Sequence, residues 1–83
     1  MTKRTLVAKI KKAGFGEAIL GHNEYGGLIT LSTERGIEEQ VADYYGEFRG
    51  GYPWISSKLE KIAKQAGAYW EWINPAMISL YEL

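Results

Sequence analysis

Apolar residues fall on a helical spacing in three stretches of the chain and on a two-residue spacing in its last quarter. Leu6, Ile10 and Ala13 recur at i, i+4 and i+7, and the lysines at 9, 11 and 12 avoid that stripe. This predicts a short amphipathic helix over Thr5–Ala13; Leu6, Ala8 and Ile10 also alternate, so a strand is the competing assignment. Gly14-Phe15-Gly16 closes the element either way. Glu17 to His22 reads as a strand, Asn23 to Gly27 as a turn, and Leu28 to Thr33 as the antiparallel return. On that return Ile29 and Leu31 share one face and Leu28 and Thr30 the other, so its sidedness is weak.

Ser32 or Thr33 can cap a second helix, with Glu34, Glu38 and Glu39 where the macrodipole favours carboxylates. Ile37, Val41 and Tyr44 or Tyr45 supply its stripe, and Gly46 marks its end. Gly50-Gly51 is a further break. Pro53 then suits the first turn of the best-patterned helix, whose Ile55, Leu59, Ile62 and Ala66 are spaced four, three and four apart. Lys58, Glu60, Lys61 and Lys64 form its outer arc, and Gly67 stands where a left-handed terminating residue belongs. Beyond Gly67, Tyr69, Glu71 and Ile73 alternate with Trp70, Trp72 and Asn74, Asn74-Pro75-Ala76 is a turn, and Met77 to Leu83 returns as a strand. The expected fold is one α+β domain over residues 1–83, in the order α-β-β-α-α-β-β. About four antiparallel strands make its sheet, with helices on one face.

Eighty-three residues without a cysteine narrow the chemistry. At this size folding buries only about 60–65% of the chain's surface, leaving no room for a deep walled active site. Disulfides, thiolate metal sites and cysteine nucleophiles are excluded. The missing cysteines point to a reducing compartment. No apolar segment follows the basic start as in a signal peptide, and no apolar run approaches the roughly 20 residues of a membrane span. A cytoplasmic protein with no membrane contact is expected.

No residue set names a reaction. His22 lacks an obvious nucleophile or carboxylate partner beyond Glu24 or Asp43. One histidine does not make a zinc site, and Glu34, Glu38 and Glu39 do not form a calcium loop. Gly14-Phe15-Gly16 and Gly26-Gly27 lack the context of a phosphate loop; Gly50-Gly51, with Arg49 adjacent, precedes a helix start that could receive an anion. No enzyme activity, cofactor or metal is expected.

The aromatics say more. Nine of eleven fall between Tyr44 and Tyr81. Along the last hairpin both faces are bulky, with Tyr69 and Ile73 on one and Trp70 and Trp72 on the other. Helices covering one face can absorb only one set. Trp70 and Trp72 are therefore the expected surplus, with Arg49, Tyr52 and Trp54 extending a surface of the residue types common at interface hot spots. The expected function is a small non-enzymatic module that binds another protein or a second copy of itself. In general make-up the chain resembles the small single-domain proteins of phages and mobile elements, including inhibitors of host defence such as anti-CRISPRs. That likeness, which no motif carries, implies binding and occlusion of a host protein.

Charge supports one alternative. Net charge is zero, yet residues 1–12 carry Lys3, Arg4, Lys9, Lys11 and Lys12 with no acid, while residues 34–47 carry five acids against Arg35. Sheet aromatics could stack bases while Lys9, Lys11 and Lys12 contact phosphate. Against this, Glu71 lies between the two tryptophans, and the domain has no basic excess.

Overall fold

The computed structural model describes residues 2–20, 27–34, 41–43 and 54–83. Helix α1 spans Lys3–Lys12 and settles the helix-or-strand alternative for the first element. The Thr2 hydroxyl accepts a hydrogen bond from the Thr5 backbone N–H, satisfying one of the orphan donors of the first turn. Lys9, Lys11 and Lys12 occupy the last turn, where cations oppose the helix dipole. Leu6 and Ile10 are buried, as is Phe15 just past the helix end.

The expected strand over Glu17–His22 does not form in its described part. Gly16–Ala18 is a 3-10 turn, Ile19 makes a single antiparallel bridge to Leu31, and the Leu20 N–H donates to the Thr30 carbonyl. Strand β1, Ile29–Ser32, finds its partner at the far end of the chain instead. The three-stranded sheet has the order β1-β5-β4, with β4 over Ala68–Asn74 and β5 over Met77–Glu82. All its pairings are antiparallel. Asn74-Pro75-Ala76 turns the hairpin as expected, and the Asn74 side chain accepts from the Ala76 N–H at 2.8 Å. A register shift between Trp72 and Asn74 makes Ile73 the extra residue of a bulge.

The second expected helix is also corrected at its described end. Val41 is buried, but Ala42–Asp43 forms strand β2, paired with β3 at Trp54–Ile55. Trp54 thus stands in a strand and does not open a helix. Helix α2 runs Ser57–Gln65, two residues later than its apolar stripe suggests, because the Ser56 N–H is held by the Val41 carbonyl at 2.9 Å in extended backbone. Its end is as expected: Gly67 has φ 64°, a left-handed conformation that is costly for other residues. The α+β class holds, with a three-stranded sheet and a two-stranded pair in place of one four-stranded sheet.

Cross-strand register fixes the faces. Ile29, Leu80 and Trp70 stand in one row and Leu31, Ile78 and Trp72 in the next, all on one face. Together with Leu6, Ile10, Phe15, Leu59 and Ile62 they build the core. The Trp70/Trp72 face is therefore the face packed against the helices, not the surplus one. The other face carries Tyr69 opposite Tyr81 and a row of Thr30, Ser79 and Glu71.

Candidate functional site

Trp70 is 8% exposed, and its indole N–H donates to the Leu59 carbonyl of α2 at 2.7 Å. A buried tryptophan needs such a partner, and here the bond locks β4 onto the helix above it. Trp70 thus cannot present its ring to a partner in the folded monomer, a correction to the expectation that it is exposed.

Its neighbours differ. Trp72, two residues on along β4, and Trp54, brought in by β3, are each half-buried. With Ile55, Glu60 and Trp70 they line an open cleft of about 460 Å³. Trp70 supplies its buried wall, Trp54 and Trp72 keep part of their surface in solvent, and the exposed Glu60 brings the only carboxylate that the described residues contribute to the lining. All three tryptophans singled out from the sequence therefore meet in one place, with unequal exposure. Arg49 and Tyr52, expected beside them, lie outside the described residues, as do His22, Glu38, Glu39 and Gly50-Gly51.

On the opposite sheet face Tyr69, 42% exposed, and the half-buried Tyr81 bring their ring centroids to 5.9 Å in a tilted pair. Beside them Thr30 and Ser79 are buried yet polar. The Ser79 hydroxyl donates to the Ile29 carbonyl at 3.1 Å and lies 3.0 Å from the Thr30 hydroxyl. With the single Ser79 proton committed to Ile29, Thr30 donates to Ser79, and both groups are satisfied.

The three lysines read as a phosphate-contacting set divide between faces. Lys9 and Lys12 line a groove between α1 and α2 together with Lys58 and Lys61. Lys11 points elsewhere, its stem lying 3.2 Å from where a Cβ on Gly16 would sit. Lys58 and Lys61, read from the sequence as part of an outer arc, lie beside Lys9 and Lys12 because helix packing sets them there. Their spacing with Gln65 (i, i+3, i+7) is the signal for that shared flank. Glu60 lies on the other flank of α2, toward β4. A strand that stacked on the tryptophans and paired with these lysines would have to pass this carboxylate.

Among the described residues no group of three or more His, Cys, Asp or Glu could hold a metal ion. No helix among them is long and apolar enough to cross a membrane. No protein-family model matches the chain, and neither a curated protein nor a solved structure matches it.

Proposed function

We propose that the protein is a small non-enzymatic module that binds another protein through the tryptophan cleft, with Trp54 and Trp72 as the contact residues and Trp70 as their support. One observation carries this reading: two half-buried indoles from different strands flank an open cleft of about 460 Å³ backed by a third that is locked to the helix. A large rigid side chain held in place by packing loses little entropy on binding, and tryptophan is the residue type most enriched at binding hot spots. An inhibitor that acts by covering its target's surface would need no more than this. Among the described residues the cleft lining offers one carboxylate and neither a hydroxyl nucleophile nor a histidine, a composition suited to binding.

The test is affinity capture from cells of the native source using the wild-type chain, Trp54→Ser and Tyr69→Ser. The expected result is a protein retained by the wild type and by Tyr69→Ser and lost with Trp54→Ser, all three baits having the same far-ultraviolet circular dichroism. Retention by Trp54→Ser, or loss with Tyr69→Ser alone, would move the contact surface away from the cleft.

A further inference from the structure

Glu60 stands beside the tryptophans for a reason that begins at Trp70. The Trp70 indole donates to the Leu59 carbonyl at 2.7 Å, and Glu60 is the next residue of α2. That bond sets an exposed carboxylate next to a fixed aromatic wall, with Trp54 and Trp72 completing the cleft of about 460 Å³. Whatever else Trp54 and Trp72 touch, each remains partly exposed.

Two ordinary roles are open to Glu60. It lies in the first turn of α2, where the helix dipole favours an acid, and Lys64 is spaced four residues on. Both roles are local to the helix, and neither brings a carboxylate into an aromatic lining. In that lining the acid has a second effect. The face of an indole carries negative potential, so three indoles and a carboxylate together make a site that attracts a cation.

We infer that the cleft receives an arginine side chain of the partner protein, its guanidinium against Trp54 and Trp72 and its N–H groups donating to the Glu60 carboxylate. This rests on the cleft being the contact surface, as proposed above. The chemistry of the lining selects arginine. Its planar group is weakly hydrated, stacks on aromatic rings and offers a fork of donors that matches a carboxylate. Lysine brings a compact, strongly hydrated charge that must shed water to sit against a ring. An acidic segment or a phosphate backbone is repelled by Glu60. An aliphatic anchor could fill the space between the indoles, but it would cover Glu60 without pairing it.

The test uses three short peptides alike except at one central position, which is arginine, citrulline or lysine. Citrulline keeps the shape of arginine and removes its charge. Binding is followed by NMR through the indole N–H signals, assigned with Trp→Phe variants. The arginine peptide should shift the Trp54 and Trp72 signals and bind about tenfold more tightly than the citrulline peptide, as expected for a hydrogen-bonded charge. The lysine peptide should bind more weakly than the arginine one. Glu60→Gln, a change of an exposed side chain that keeps its size, should weaken the arginine peptide about tenfold and leave the citrulline peptide as it was. Equal binding of the arginine and citrulline peptides would overturn the inference. So would unchanged arginine affinity in Glu60→Gln, lysine binding as tight as arginine, or no indole shift with the arginine peptide in large excess. Glu60→Gln as a further bait in the capture experiment separates this inference from the reading beneath it. Weaker retention of the partner is expected. A partner lost with Trp54→Ser but held as well by Glu60→Gln as by the wild type would contradict the arginine and leave the cleft in place.

Discussion

Trp70 and Tyr69 are adjacent in sequence and opposite in role. The indole of Trp70 fills the core and donates to the Leu59 carbonyl, so Trp70→Ala creates a cavity and removes the bond that ties β4 to α2. It should lose about 3–5 kcal/mol in urea unfolding. A domain of this length has a total stability of roughly 4–12 kcal/mol, so this change alone removes a large share of it. Tyr69→Ser should cost less, about 1 kcal/mol, because Tyr69 is 42% exposed and its ring makes a tilted pair with Tyr81. A similar asymmetry governs the buried hydroxyls. Ser79→Ala deprives the Thr30 hydroxyl of its acceptor and the Ile29 carbonyl of a donor, for a loss of about 1–3 kcal/mol. Thr30→Val leaves the Ser79–Ile29 bond standing and should cost clearly less. Equal losses from the two substitutions would contradict the assigned donor direction.

At the scale of elements, two glycines are required for different reasons. Gly67 ends α2 in a left-handed conformation with open space where a Cβ would point, so Gly67→Ala should cost only about 1 kcal/mol of backbone strain. Gly27 lies against β5, where a Cβ would collide with the Ser79 hydroxyl and come within 2.8 Å of the Leu80 carbonyl. Gly27→Ala should cost more, about 1–3 kcal/mol, through forced displacement of the strand. The reverse order in thermal unfolding would contradict the close approach of this segment to the sheet. The same elements show what the sequence could and could not reveal. Helix α1, the end of α2 at Gly67 and the β4–β5 hairpin are legible because stripe, cap and turn residues agree locally. The β1–β5 pairing is not legible, because it joins residues about fifty positions apart and no local pattern records it. Val41 fits a helical stripe and a buried strand end equally well, and pairing of Ala42–Asp43 with Trp54–Ile55 decides for the strand. Trp54 is misplaced for the same reason: the apolar stripe of α2 continues back to Ile55, but Ser56 is held extended by Val41.

For the molecule as a whole, two surfaces emerge on opposite flanks of α2: an aromatic cleft toward β4 and a lysine-rimmed groove toward α1. The sequence points to the tryptophans of the first and half the lysines of the second, but not to how either set is divided. An alternating strand identifies which residues share a face; only the packing of α2 shows that the Trp70/Trp72 face is the core and that Trp72 reaches its margin. The central claim is this division of labour among three tryptophans, and it can be read by acrylamide quenching of three single-tryptophan proteins. Each keeps one of Trp54, Trp70 and Trp72 and carries Phe at the other two positions. Trp70 should quench several-fold less efficiently than Trp54 and Trp72 in the folded state, and all three should become equal in denaturant. A folded protein in which Trp70 quenches as readily as the others, or in which Trp54 and Trp72 are as shielded as Trp70, would contradict the account.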